Sequence, residues 1–137
     1  MKRNLLLFAV ALTLLVTTAS AQTIKVQAKI PFNFVINGAT MPAGEYLVES
    51  MDRDGGVLAI RDSNLKTTNL VIANACESHK AATHTKLIFH RYGDRYFLSQ
   101  VWIQGNNRGR ELRTSAREIE VAKDFSAQEV VLMAAGR

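Results

Sequence analysis

Apolar and polar residues alternate strictly between Ile24 and Ile36. Every even position is apolar, and every odd position except Val35 is polar or proline. A period of two over this length predicts a β-strand with one face buried. Because Pro31 lacks the N–H that a central strand donates, we expect this strand to lie at a sheet edge or to carry a bulge there.

Turn residues divide the next part of the chain into short strands. Turns are predicted at Asn37-Gly38 and Pro42-Ala43-Gly44, and a polar loop is predicted over residues 77–83. Between these turns and the loop, strands are expected at 45–51, 57–61 and about 68–73.

The strongest hairpin signal is the pair of apolar and aromatic runs that flank Gly93-Asp94. A two-residue type II′ loop would pair Tyr92 with Arg95, His90 with Phe97 and Phe89 with Leu98. Since both faces of such a hairpin are apolar, we expect a second sheet, a helix or another subunit to cover each of them. One face is expected to carry Leu87, Phe89, Tyr96, Leu98 and Trp102, and the other Ile88, Phe97, Val101 and Ile103.

A helix is predicted after a polar segment at residues 104–110. Ser115 and Glu118 fit a capping box, which satisfies free N–H groups where a helix begins. The expected apolar stripe of this helix is narrow and consists of Ile119, Ala122 and Phe125.

The apolar run at residues 130–133 predicts a last, buried strand. Together these elements predict a mainly β domain. We expect a single antiparallel β-sandwich or flattened barrel of about seven strands, with one amphipathic helix near the C-terminus.

The start of the chain has the features of a secretory signal peptide. An apolar run at residues 5–16 follows two basic residues, and Ala19 and Ala21 occupy the small-residue positions that signal peptidase recognises. The run is too short to span a bilayer, which takes about 20 apolar residues. We therefore expect cleavage after Ala21, no transmembrane span in the mature protein, and export to the periplasm or the extracellular space.

The mature part, residues 22–137, is expected to be one domain. Loss of Lys2 and Arg3 leaves fifteen basic residues against twelve acidic ones, so the net charge falls from +5 to +3. The basic residues are mixed with acidic ones, which together with export argues against a nucleic-acid partner. Cys76 is the single cysteine, so no intrachain disulfide can form.

Three motifs cover much of the mature chain: P-F-N-F at 31–34, M-P-A-G-E-Y at 41–46 and F-H-R-Y-G-D-R-Y-F-L at 89–98, ahead of Trp102. They resemble the P-F-x-F, L-P-A-G-x-Y and F-x-R-Y-G-x-x-Y-F-L motifs of a group of small exported β-rich proteins common in acidobacteria. Met41 stands where that group has leucine. The resemblance implies one shared fold and, because the group has no assigned activity, no functional residues.

Histidines and acidic residues raise the question of a metal site. His79, His84 and His90 occur at neither i, i+2 nor i, i+4 spacing, so we expect no metal and interpret His90 as a hydrogen-bonded sheet residue. Asp52 and Asp54 supply two carboxylates, fewer than the six or more oxygens that calcium takes, and a hairpin turn is the favoured interpretation.

Other side chains invite functional hypotheses that we weigh against simpler ones. Cys76 lies three positions before His79 but lacks the flanking signature of a catalytic thiol, so a small buried side chain is expected. A cluster of four arginines could hold an anion, although intervening glutamates favour a solvated, salt-bridged face; these are Arg108, Arg110, Arg113 and Arg117. Aromatic residues of the hairpin are expected to fill the core or to line a pocket; these are Tyr92, Tyr96, Phe97 and Trp102.

No G-x-S-x-G, H-E-x-x-H or P-loop motif occurs, so we expect a non-enzymatic protein without a cofactor. The most favoured function is an interaction domain or a structural domain of the cell envelope. The helix stripe is too narrow to cover one face of the hairpin, which is the candidate surface for self-association or an envelope protein partner; it consists of Ile88, Phe97, Val101 and Ile103.

Two alternatives remain open. The first is a carrier of a small apolar ligand, which would require a cavity above about 300 Å³ walled by Phe89, Leu98 and Trp102. The second, weaker alternative is a hydrolase whose site the sequence does not identify.

Overall fold

A computed structural model describes residues 23–64 and 67–136. The predicted signal peptide, including Ala19 and Ala21, lies outside the described residues. Within the described residues the chain forms eleven strands and one short helix. Their bounds are β1 (Lys25–Ile30), β2 (Phe34–Ile36), β3 (Ala39–Met41), β4 (Gly44–Ser50), β5 (Val57–Asp62), β6 (Thr68–Glu77), β7 (Lys86–Tyr92), β8 (Arg95–Trp102), β9 (Arg108–Leu112), α1 (Ala116–Ala122), β10 (Gln128–Met133) and β11 (Ala135–Gly136).

The strands form one open sheet, in which hydrogen-bonded neighbours follow the order β10-β7-β8-β9-β6-β5-β4-β1-β11. β2 and β3 pair with each other, and β2 joins the sheet through a parallel pairing with β8. The predicted mainly β fold with one short helix is therefore confirmed. The predicted sandwich or barrel of about seven strands is wrong, because eleven strands belong to a single open sheet.

Two segments account for much of the difference in strand number. The predicted N-terminal strand keeps its period of two but divides at Pro31, with β1 before the proline and β2 after it. β1 lies between β4 and β11, so the expectation of an edge strand is wrong, and the proline instead follows the end of the strand. The segment 104–110, expected as a loop, contains the start of β9, where Gly109 pairs with Cys76 of β6.

One buried cluster forms the main core. It draws side chains from both halves of the sheet order, including Val26 of β1, Ile60 of β5 and Phe89 of β7. Strands that are distant in the sheet order can share a core only if the sheet curves, so we infer that the open sheet bends around this cluster. A smaller cluster lies on the other side of the β7–β8 hairpin and consists of Val35, Tyr92, Phe97 and Val121.

The β7–β8 hairpin has the predicted turn and the predicted register beside it. Gly93 has φ = 64°, as the first position of a type II′ loop requires, and all three predicted pairs occur: Tyr92 with Arg95, His90 with Phe97, and Phe89 with Leu98. Beyond them the register shifts, because Ile88 pairs with Gln100 and leaves Ser99 as an extra residue.

This β-bulge changes which face the following residues occupy. Val101 belongs to the main core and Ile103 packs against it, whereas both were expected on the opposite face. Trp102, expected on the same face as Phe89 and Leu98, lies over Gly109 instead. The predicted division of the hairpin into two apolar faces is therefore wrong beyond Leu98.

The helix α1 begins with the predicted cap. Ser115 Oγ accepts a hydrogen bond from the Glu118 backbone N–H at 3.2 Å. The predicted apolar stripe is wrong, since Ile119 and Phe125 are more than half exposed and the buried residues of the helix are Glu118 and Val121. Among the described residues, no helix is both long enough and apolar enough to cross a membrane.

The last strands connect the two ends of the sheet order. β10 pairs with β7 and β11 pairs with β1, and only Ala134 separates β10 from β11. The predicted last strand therefore exists, but it is not buried, because Val131 and Met133 are 47% and 60% exposed.

Candidate functional site

β8 and β9 are neighbours in the sheet over only a short part of their length. These strands pair only at Gln100 with Glu111 and at Val101 with Arg110. Toward its start, β8 pairs with β2 instead, through Phe97 and Val35, while β9 continues along β6. The separation of β8 from β9 leaves a cavity of about 330 Å³.

The cavity has apolar walls and a polar end. Leu70 and Ile72 of β6 line it and are more than half exposed, and Arg113 also lines it and is exposed, so we infer that these three residues surround its opening. The remaining apolar lining consists of Val35, Val57, Val71, Phe97, Leu98 and Leu112. The remaining polar lining consists of Asn37, Thr114, Ser115 and Glu118.

Glu118 is the one acidic residue in this lining and is only 6% exposed. The helix α1 places the Glu118 side chain against the β7–β8 hairpin, on the side away from the main core, where two side chains contact the same carboxylate oxygen. Nδ1 of His90 lies 2.9 Å from Oε1 of Glu118, and the Tyr92 hydroxyl donates to the same oxygen at 3.1 Å. Ser99 Oγ lies 3.3 Å from Nε2 of His90, which completes a chain of four polar side chains.

The contacts define consistent hydrogen-bond directions. Because a carboxylate only accepts, Nδ1 of His90 donates to Glu118, and Nε2 of a neutral ring then accepts from the Ser99 hydroxyl. Burial, and secondarily the charge of Glu118 and the hydrogen bond to it, raise the pKa of Tyr92, so this hydroxyl stays protonated and donates. Oε1 of Glu118 thus has two donors.

The second carboxylate oxygen of Glu118 is different. Oε2 receives no hydrogen bond from any described residue. In the described part of the chain, every side-chain oxygen or nitrogen that is sealed from solvent has a hydrogen-bond partner. Oε2 therefore keeps accessible surface. Since Glu118 lines the cavity, we infer that this accessible oxygen is the acceptor that the cavity presents.

The series serine, histidine, glutamate resembles the catalytic triad of serine hydrolases, in which the serine hydroxyl faces the substrate. Here the acidic end of the series, and not the serine, faces the cavity. Glu118 lines the cavity, whereas Ser99 is 6% exposed and is not among the lining residues. Of the three side chains in this series, only the carboxylate of Glu118 is presented to the cavity.

The predicted interaction surface does not exist as one exposed face. Ile88, Phe97 and Val101 are at most 6% exposed within the chain, and the partly buried Ile103 packs against the main core. The bulge at Ser99 puts Val101 and Ile103 on a different side from Phe97. Self-association remains a prediction, but these four residues cannot provide its surface.

The predicted carrier pocket is displaced from its expected walls. Leu98 lines the cavity, but Phe89 lies fully buried in the main core and Trp102 lies over Gly109. Among the hairpin aromatics, Phe97 lines the cavity and Tyr92 stands behind Glu118. A ligand would therefore meet the start of β8 and not its end.

The histidine and acidic candidates are dispersed. No group of three or more His, Cys, Asp or Glu side chains in residues 23–64 and 67–136 is placed to hold a metal ion. His90 is the hydrogen-bonded sheet residue expected from the sequence. Asp52 stabilises the β4–β5 turn by accepting from the Val57 N–H, which confirms the hairpin interpretation of that segment.

The remaining candidates are Cys76 and the arginines. Burial, and secondarily the charge of Glu111, raise the pKa of the half-buried Cys76, which disfavours the reactive thiolate. Of the four arginines, Arg108 and Arg110 line a second cavity together, and Arg108 also pairs with Glu77. Arg117 contacts the β2–β3 turn, and only Arg113 lines the same cavity as Glu118.

Sequence reasoning found Glu118 only as a capping residue. In a capping box its side chain reaches back to the cap, but here it turns toward His90 and Tyr92 of β7. These partners lie 28 and 26 positions away in the chain. Nothing in the local pattern indicates that contact.

Comparison of the chain with protein-family models, with curated proteins and with solved structures gives no match. The resemblance to small exported acidobacterial proteins therefore stays a prediction.

Proposed function

We propose that this protein is an exported, non-enzymatic carrier that holds a small ligand between β8 and β9. The observation that supports this function best is a cavity with apolar walls and one buried carboxylate at its end. Ligand sites of proteins commonly combine an apolar lining with a few fixed polar groups. Export rests on the signal-peptide pattern ending at Ala21.

The size of the cavity limits the ligand. About 330 Å³ lies at the lower end of the usual range for small-molecule sites. It corresponds to roughly eleven water molecules at ~30 Å³ each, so a ligand of about ten to fifteen non-hydrogen atoms fits.

The exposed apolar side chains at the opening supply part of the binding free energy. Leu70 and Ile72 are 55% and 56% exposed. Full burial of such a side chain contributes about 1.5–3 kcal/mol, so covering the exposed half of each contributes about 1 kcal/mol. After the cost of immobilising a small ligand, we expect dissociation constants in the micromolar to millimolar range.

Native mass spectrometry of the protein purified from its own host, followed by ligand-observed NMR with a set of small fragments, tests this proposal. The diagnostic variant is Ile72→Trp, which fills the opening with a larger ring on a strand position that tolerates aromatic residues. We expect it to weaken ligand binding at least tenfold without unfolding the protein.

The matched control is Met51→Trp, an apolar position directly after β4 that is 50% exposed and does not line the cavity. This variant should bind ligands as the original protein does. The carrier function is refuted if no fragment binds, or if the two tryptophan variants affect binding equally.

A second candidate function is the interaction domain expected from the sequence. The exposed apolar surface that favours this function lies on β10, and not on the four residues of the β7–β8 hairpin predicted from the sequence. Val131 and Met133 are exposed on one face of that strand, in register with Ile88 and Lys86. We propose this strip as the contact with a second copy of the chain. Sedimentation at several concentrations should show association that Val131→Lys abolishes, and a strictly monomeric protein would rule it out.

A further inference from the structure

We infer that Glu118 selects the ligand, and that the ligand is a protonated amine carried on a small apolar body. This inference rests on the proposed carrier function and names the chemistry of its ligand. It depends on the state of the two carboxylate oxygens and on the charges around them.

The first step concerns hydrogen bonding. Oε1 of Glu118 has its donors in His90 and Tyr92, whereas Oε2 has none among the described residues. Oε2 keeps accessible surface although Glu118 as a residue is only 6% exposed, so water that reaches the cavity is the donor open to this oxygen. An acceptor that loses its water without gaining another donor is unfavourable. A ligand that enters the cavity and displaces water from Oε2 must therefore replace the lost donor.

The second step concerns charge. Among the described residues, His90 is the only basic side chain within 4.0 Å of the Glu118 carboxylate, so no lysine or arginine forms an ion pair with Glu118. Both of its protein donors can be neutral groups. A cationic donor forms a shorter and stronger hydrogen bond to a carboxylate than a neutral donor and also compensates the buried charge. An ammonium group meets both needs, whereas a carboxylate or phosphate on the ligand would be repelled.

The third step concerns the rest of the ligand. The lining residues between Glu118 and the opening are mainly apolar, including Phe97, Leu98 and Leu112. A ring or a short alkyl chain attached to the amine would contact these side chains while the ammonium reaches Oε2. The opening carries Arg113, which disfavours a second cationic group at the outer end of the ligand.

The experiment compares probes that differ only in the terminal group: 2-phenylethylamine, 2-phenylethanol and 3-phenylpropionate. Binding is measured by ligand-observed NMR or calorimetry at neutral pH and low salt. We expect the amine to bind at least about tenfold more tightly than the carboxylate, with the neutral alcohol between them.

The key variant is Glu118→Gln. Its amide oxygen can still accept from His90 and Tyr92, while its amide nitrogen presents a donor to the cavity in place of Oε2. We expect amine binding to fall at least about tenfold and the preference over the carboxylate to disappear. The matched control is Glu120→Gln, which removes the same charge from an exposed position of α1 that does not line the cavity.

The outcomes separate this inference from the function on which it rests. If the carboxylate binds as well as the amine, or if Glu118→Gln and Glu120→Gln behave alike, the role of Glu118 is wrong. If neither charged probe binds but another fragment binds in a manner sensitive to Ile72→Trp, the carrier function stands and the amine does not. Should Glu118→Gln fail to fold, the comparison of the three probes on the original protein still decides the question.

Discussion

Gly109 is the position where the structure predicts the sharpest effect of a single methyl group. A Cβ atom built on this β9 residue would lie 2.7 Å from Cδ2 of Trp102 and 2.8 Å from Cε2 and Cε3. Ordinary van der Waals contact begins at about 3.4 Å. The indole, which is 7% exposed, must therefore move away if Gly109 becomes alanine.

The magnitude follows from two opposing effects. Forcing an extra methyl group into a well-packed site costs about 1–3 kcal/mol. Replacing glycine by alanine in a compatible backbone conformation stabilises by ~0.4–1 kcal/mol through the unfolded chain. We expect Gly109→Ala to lower the free energy of unfolding by about 1–2 kcal/mol. Complete expulsion of the indole, with loss of up to ~200 Å² of buried apolar surface, would set an upper limit near 5 kcal/mol.

Urea denaturation measures this effect directly, because Trp102 is the only tryptophan and its fluorescence reports both the local contact and global unfolding. The control is Gly136→Ala on β11, where the added methyl group would meet only Thr85 Oγ1 at 3.6 Å. This variant should be neutral or slightly more stable.

A double-mutant cycle with Trp102→Leu, followed by circular dichroism, isolates the contact. With the smaller side chain at position 102, Gly109→Ala should no longer destabilise the protein. A Gly109→Ala variant as stable as the original protein, or a penalty that persists beside Leu at position 102, would show that the close packing of Trp102 on β9 is wrong.

Three further predictions concern the core, the helix and the leader. Leu98→Ala should lower the free energy of unfolding by about 2–5 kcal/mol, because Leu98 is buried in the main core, and an unchanged denaturation midpoint would contradict its burial. Ser115→Ala should cost about 0.5–2 kcal/mol by removing the cap of α1, whereas Ser126→Ala, exposed beyond the helix, should change thermal stability little. Ala21→Lys should block cleavage of the leader, so that mass spectrometry detects the uncleaved chain; normal processing of this variant would disprove the assigned site.

The parts of the fold that could be predicted are those fixed by local chemistry. Gly93 allows the positive φ of a type II′ loop, and the register of the three pairs beside the loop follows from it. Ser115 forms the expected cap because its partner, the Glu118 N–H, lies in the first turn of the helix, three residues further along the chain. The alternation in β1 also survives, since one face of that strand is buried.

The parts that could not be predicted depend on residues distant in the chain. One extra residue at Ser99 reverses the faces of everything after it in β8, and a bulge has no unique sequence signature. β9 contains mostly polar residues and a glycine, so its pairing with β6 is invisible in the local pattern. Glu118 belongs to the candidate site only because β7 brings two donors to it, and a local apolar pattern assigns a glutamate to the solvent side of a helix.

The short segment that contains β10 and β11 also bears on the order of assembly. Until it docks, β7 and β1 each present a row of unpaired N–H and C=O groups, and such rows readily capture other chains. The pairing of Val26 with Gly136 joins opposite ends of the described chain, a type of contact whose loop-closure cost slows folding. Docking replaces these edges with those of β10 and β11, which end the open sheet, and β11 pairs with only Val26 and Gln27 of β1. We therefore expect the folded protein to keep two strand edges that other chains can reach, so that a tendency to aggregate persists after this last step.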